Sequence, residues 1–330
     1  MVVFHHASIY FGLDPRYWER PALYLSLRGM ALGVEYFFVL SGAVILLAHW
    51  DDIGKRETIC AYLWKRFRRI YPIYWIVLSL VVAQYILRPG LGAPYQRSAW
   101  VIISGYTLFH IHSLEVSLPV AWTLFHELLF YCIFAGFLFR RRLGYGLLAM
   151  WCCMSIAMYV CPNNRYLSVY LFSPLHLLFA LGMLVTWLLR IRFSERLRNA
   201  YLVTVLGFML LGYTLFWAAE HGITSMSVQL FAGLVSSLII YGTALLEEQE
   251  KLTVPTFLQF LGDASYSIYI VHYPLFMFLA PFTYKMWLHM PVSIAFPFTA
   301  MVVLGTLAGC GLHAYVERPL LNYISHLSSR

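Results

Sequence analysis

Five ionisable side chains stand in stretches too apolar to be solvated loops. His5 and His6 lie in MVVFHHASIYFGLD (1–14), Glu35 in GVEYFFVLSG (33–42), Glu127 in AWTLFHELLFY (121–131) and His272 in YSIYIVHYPLF (266–276). Titratable groups in a medium without water are expensive and tend to be retained for chemistry. A histidine beside a carboxylate in such a cleft is a general base, because the carboxylate fixes the ring tautomer and stabilises the imidazolium. A purely structural role, tying one helix to the next, competes with this reading. It competes most strongly for His272 and His313 taken singly, and least for His5 and Glu127 taken together.

A second constellation is cationic. YLWKRFRRIYPIYW (62–75) sets Lys65, Arg66, Arg68 and Arg69 just ahead of an aromatic helix start, with Pro72 near its first turn. Cations beside stacking rings suit a ligand with phosphates and a nucleobase, as coenzyme A has. An ordinary positive anchor at the membrane face is the plainer account. Ser41-Gly42, inside an apolar run, permits close helix packing or leaves room for a thin substrate arm. His110 and His112 form a His-x-His without a third ligand, so no metal site is expected. His221 and His289 read as solvated loop residues.

Membrane helices must position these groups. Of the 330 residues, 61% are hydrophobic and 12% charged, with a mean hydropathy of +0.71. A soluble domain carries about twice that charged fraction, so the solvent is a lipid bilayer and the fold is all-α and polytopic. The net charge of +8 does not point to nucleic acid, since the basic residues sit in short loops between apolar runs. The six cysteines are scattered with no disulfide or zinc spacing and read as small core residues. The first apolar run lacks the basic leader and cleavage site of a signal peptide.

A crossing helix takes about 20 apolar residues. Nine runs qualify, near 29–48, 71–88, 120–139, 143–161, 170–189, 200–218, 225–246, 265–284 and 292–316. The opening run, 1–12, makes a tenth, truncated one; it covers only about 17 Å of hydrocarbon. The short apolar stretch 99–112 reads as a loop helix at the interface. With ten spans, sixteen of the 23 Lys and Arg fall on one side and seven on the other. The positive-inside rule makes the first side, with the C-terminus, cytoplasmic. Neither a soluble domain nor an internal repeat is evident, so 1–330 reads as one membrane domain. On this topology the opening histidines and both carboxylates share the outer half of the bilayer, and His272 reaches mid-membrane from the cytoplasmic end.

Five segments, in order, resemble the acyltransferase-3 family of bacterial integral-membrane O-acyltransferases. They are VVFHH (2–6), GVEYFFVLSG (33–42), RFRRIYPIYW (66–75), AWTLFHELLFY (121–131) and LGDASYSIYIVHYPLF (261–276), followed by ERP at 317–319. The resemblance implies transfer of an acyl group, usually acetyl from acetyl-CoA, to a hydroxyl of a surface or exported polysaccharide at the bacterial inner membrane. His5 matches the family's first-helix histidine, Arg66 and Arg69 its third-helix arginines, and Glu127 the acidic position of its Trp-Thr-Leu segment. His5 and Glu127 are thus the expected catalytic pair. Glu35, Ser41, Arg66, Arg69, Tyr71, Trp122 and His272 are the expected substrate-binding residues.

The family also has an arginine eleven positions before its histidine. From His5 that position falls before Met1, and Arg28 does not replace it because Val39 stands eleven residues later. The expectation is a first span completed, with its arginine, by preceding residues; the alternative is a chain that lacks half a helix and a substrate contact. Acyl-CoA is expected as co-substrate with no bound cofactor. The expected partners are a glycan acceptor, the bilayer, and a second copy or a glycan-assembly machinery. The competing class is a transporter or lipid-linked-glycan translocator that couples protons through the intramembrane histidines and glutamates.

Overall fold

A backbone that leaves water must satisfy its own N–H and C=O groups, which a helix does within one segment. The computed structural model describes residues 1–88, 90, 92–109, 115–161, 170–191, 199–290 and 292–328, and every regular element among them is helical. His110, His112, Arg165, Arg192, Arg196, Arg198 and Arg330 lie outside the described residues. The helices, in order, are α1 (Val2–Gly12), α2 (Pro21–Leu27), α3 (Gly33–Ala48), α4 (Ile59–Leu87), α5 (Ala99–Thr107), α6 (Trp122–Phe139) and α7 (Arg141–Val160). There follow α8 (His176–Arg190), α9 (Ala200–His221), α10 (Met226–Glu248), α11 (Thr256–Asp263), α12 (Ser265–Leu288), α13 (Ala295–Leu312) and α14 (Arg318–Ser328).

Among the described residues, seven helical stretches are long and apolar enough to cross a membrane. Three of the ten expected spans fall short of that measure. The 11 residues of α1 and the 15 of α8 are too few. With 24 residues α12 is long enough, but His272, Lys285, Pro274 and Pro281 dilute its apolarity. At the other end of the chain, Ala295–His326 is one continuous helical stretch. It passes through a π turn at His313–Glu317 that holds the ERP segment.

Two further expectations are corrected. The arginine cluster does not precede the third span; α4 begins at Ile59 and carries Lys65, Arg66, Arg68 and Arg69 within it, with Pro72 in its interior. Lys, Arg, Leu and Ala are strong helix formers, and one proline removes only the bond to the Arg68 carbonyl. Nor are the cysteines core residues. Cys60, Cys132, Cys153 and Cys161 are exposed and Cys152 and Cys310 half-buried, all as free thiols. A thiol is apolar enough to face lipid as readily as a core.

The helices form two compact units, one of Arg28–Leu63 and His126–Val254 with Met1, the other of Val2–Leu27, Trp64–Phe125 and Pro255–Arg330. In the first, α3 crosses α8 at two glycines: a Cβ on Gly42 would run into the Phe179 carbonyl, and one on Gly182 into the Val39 carbonyl. The Thr186 hydroxyl donates to the Ala43 carbonyl at 2.8 Å across the same crossing. Between lipid-soluble helices the drive to associate comes from close packing and hydrogen bonds, which small residues allow. Gly42 is thus a packing residue. Beside this pair, α9 and α10 meet where Gly207 faces Ile239 and Gly242 faces Thr204.

In the second unit α12 packs on α13, with Gly305 against the Phe276 ring and Gly309 against the Ile268 backbone. At the π turn Glu317 is fully enclosed; its Oε2 accepts from the Ser267 hydroxyl at 2.7 Å and pairs with His313 Nδ1 at 2.8 Å. The hairpin of α1 and α2 closes where Gly12 meets Tyr24, and α1 also packs on α12 and α13.

The expected loop helix over 99–112 is α5 in its described part, laid antiparallel along α4. Near its start Gln96 Nε2 donates to Tyr85 Oη at 3.1 Å; near its end the Tyr71 hydroxyl donates to the Thr107 carbonyl at 3.0 Å. Every carbonyl of its last turn is satisfied. Phe109 N and Leu108 N bond the carbonyls of Ser104 and Gly105, with Leu108 held left-handed at φ 54°. The Tyr74 hydroxyl adds a bond to Gly105 O at 2.7 Å, and Trp75 Nε1 bonds Tyr106 O at 2.8 Å. Such complete internal capping is what a helix end without water partners requires. By Ser117 the chain is again beside Gln96, whose amide donates to its carbonyl at 3.3 Å.

Candidate functional site

In the second unit the site residues stand on α1, α4, α6 and α12. Consecutive residues of a helix point about 100° apart, so His5 and His6 face different neighbours. His5 is 7% exposed, its ring lies 6.0 Å from that of Tyr24 on α2, and its Nδ1 has no hydrogen-bond partner. His6, half-buried, places Nδ1 2.7 Å from Nε2 of the fully buried His272 on α12, the rings stacked at 5.0 Å. His272 Nδ1 is 2.9 Å from the Ile268 carbonyl one turn earlier. The Tyr273 ring meets His6 edge-on at 5.1 Å. On α4, half-buried Arg66 and exposed Arg69 are three residues apart and share a face. Tyr71 is engaged with α5 as described, and Trp122 stands half-buried at the head of α6, after the 3-10 turn Pro119–Ala121.

The first unit holds Glu35, Ser41 and Glu127. Glu127 is buried on α6, and the Tyr131 hydroxyl, one turn on, donates to its Oε1. Glu35 is buried on α3 with Oε2 lacking a hydrogen-bond partner and the Gln229 side chain as its neighbour. Ser41 is half-buried one residue before the packing glycine.

Two arrangements escaped the sequence reading. His126, next to Glu127, places Nδ1 2.8 Å from His176 Nε2 on α8. The Tyr170 ring is parallel to His126, and Trp151 stacks on His176 at 4.1 Å. Fifty residues separate these histidines, and no motif links them. The contact of His6 with His272 was equally invisible, because the sequence reading put one in the outer half of the bilayer and the other at mid-membrane. Among the described residues no three His, Cys, Asp or Glu side chains gather at one point.

Helices long enough to cross a bilayer, with buried histidines and carboxylates inside them, define a multi-pass membrane protein whose polar interior is available for chemistry. The chain belongs to the acyltransferase-3 family: the family model, described as an acyltransferase domain, matches residues 1–315. It is 29% identical over 307 residues to exopolysaccharide production protein ExoZ of Rhizobium meliloti (strain 1021), covering 88% of this chain and 89% of that one. It is 28% identical over 153 residues to protein 2 in the picA locus of Rhizobium radiobacter, covering 41% of this chain and 73% of the other. No solved structure matches. Membership of this family favours group transfer over the transporter reading.

Proposed function

We propose that this membrane acyltransferase moves acetyl from acetyl-CoA to a hydroxyl of an exopolysaccharide or its precursor. The observation that carries the reading is the family match over 1–315, which begins on the helix holding His5. The printed name of the Rhizobium meliloti relative supports the choice of acceptor. In this reaction His5 takes the proton of the acceptor hydroxyl, whose oxygen attacks the thioester carbonyl. The carbon–sulfur bond then breaks, and the proton passes to the departing thiolate. Glu127 is the second residue assigned to catalysis. Arg66 and Arg69 form a cationic face suited to the phosphates of coenzyme A. Tyr71, Trp122, Glu35 and Ser41 are assigned to substrate contact, while His272, expected there from the sequence, is enclosed behind His6.

The same reading counts α1, α8 and α12 as crossing segments beside the seven longer ones. It sets the arginine-bearing end of α4 and the C-terminus on the cytoplasmic side of the inner membrane.

The test uses purified protein in lipid nanodiscs with radiolabelled acetyl-CoA and an oligosaccharide fragment of the host exopolysaccharide. Acetyl should appear on the glycan with release of free thiol, and His5→Ala should abolish both. Normal transfer by His5→Ala removes the base assignment. Absence of transfer from any acyl-CoA by the wild type removes the enzyme class.

A further inference from the structure

The contact between His6 and His272 fixes where their protons are. A carbonyl oxygen only accepts, so the 2.9 Å contact of His272 Nδ1 with Ile268 O puts a proton on that nitrogen. A neutral imidazole has one N–H, and His272 is 0% exposed, where a charged ring is costly. Its Nε2 is therefore a lone pair, and the hydrogen in the 2.7 Å contact belongs to His6 Nδ1. That leaves His6 Nε2 as a lone pair too, on a ring that is only half-buried.

A base whose far nitrogen donates to a fixed acceptor is the arrangement that holds a catalytic imidazole in one tautomer. Here a neutral imidazole stands where other enzymes place a carboxylate. When His6 gains a proton, its charge strengthens the bond to His272. His5 lacks this support, since its own Nδ1 is unpartnered, although its ring centroid lies only 5.4 Å from that of His6.

Resting on the acyl-transfer reading, we propose that His6 is a second proton acceptor of the reaction and that His272 is its positioning residue. The proton taken from the hydroxyl by His5 moves on to His6 Nε2: an N–H bond of the His5 imidazolium breaks and one at His6 forms. Two neutral rings remain at His5 and His272, with the charge on His6. The proton returns by the same route to the thiolate, where S–H forms.

Two measurements on the full chain in nanodiscs test this. Nitrogen-15 NMR of histidine-labelled wild type, with His6 and His272 assigned through their substitution variants, reads the tautomers without any turnover. Both rings should carry hydrogen on Nδ1, and a hydrogen on Nε2 of His6 overturns the proposal. Acetyl transfer by variants with wild-type melting profiles is the second measurement. His6→Gln and His272→Leu should each lower kcat by about tenfold or more while KM for acetyl-CoA stays within about twofold. His272→Gln, whose amide oxygen can accept from His6, should restore most of the loss. An inert His5→Ala together with a fully active His6→Gln overturns this inference and leaves the acyl-transfer reading standing. If even the wild type transfers nothing, that reading fails, and the tautomers alone decide whether the pair is built as described.

Discussion

Tyr131 donates its phenolic hydrogen to Glu127 one turn earlier on α6, and both residues are buried. The bond goes to a carboxyl oxygen held in the interior of the unit. Replacing Tyr131 by Phe takes this donor from a buried oxygen, at a cost of about 1–3 kcal/mol. If Glu127 serves the reaction, Tyr131→Phe should lower acetyl transfer by roughly ten- to a hundredfold, and Glu127→Gln by a hundredfold or more. Steady-state assays in nanodiscs compare the two. Equal rates for Glu127→Gln and wild type would return both residues to structure alone.

The crossing of α3 and α8 leaves no volume for a side chain on either glycine. Gly182→Leu should force the helices apart and cost on the order of 1–3 kcal/mol. A fall in the melting temperature of the detergent-solubilised protein reads this. Gly146, where an added Cβ would meet nothing within 4 Å, should accept Ala without loss.

Side chains of α4 donate to the Gly105, Tyr106 and Thr107 carbonyls at the end of α5. Trp75→Phe keeps a ring but leaves the Tyr106 carbonyl without its 2.8 Å donor. The expected cost is about 1–3 kcal/mol. Hydrogen exchange should show it as faster exchange confined to 99–109, with the rest of α4 protected as before.

Asp14 and Arg16, in the turn after α1, give a pH signature. Burial alone would raise the Asp14 carboxyl, but hydrogen bonds from the Arg16 side chain (2.7 and 2.9 Å) and backbone (3.0 Å), with its charge, hold it below the usual carboxylate range. A group lowered in the folded state stabilises it above the unfolded value and loses that contribution as pH falls through the folded one. With the arginine 54% exposed the effect is under about 1 kcal/mol. The melting-temperature gap between wild type and Asp14→Asn should therefore be present at neutral pH and close in acid. A gap unchanged down the acid range would show that charge has no part in it.

Most helix positions were legible because bilayer-length apolar runs separated by charge are a one-dimensional signal. Orientation within each helix was not. Lipid and protein interior are both apolar, so no polar face marks which side of α6 points to His176 or which side of α1 points to His272. The family motifs marked His5 and Glu127 but were silent on His6 and His126, whose partners lie 266 and 50 residues away. The start of α4 was misplaced for a different reason: four cations read as a loop by hydropathy, yet they are good helix formers. Pro72, expected near the first turn of the helix, stands in its interior.

The strapped loop of α5 bears on sidedness. A segment that runs down beside α4 from Gln96 and is back beside Gln96 at Ser117 enters and leaves by the same door. It adds nothing to the number of crossings, however apolar its residues are. Read as a span, it would reverse the inside–outside assignment of every helix after it, including α12 and its histidine. Reporter fusions placed just before residue 94 and just after residue 118 should give the same sign.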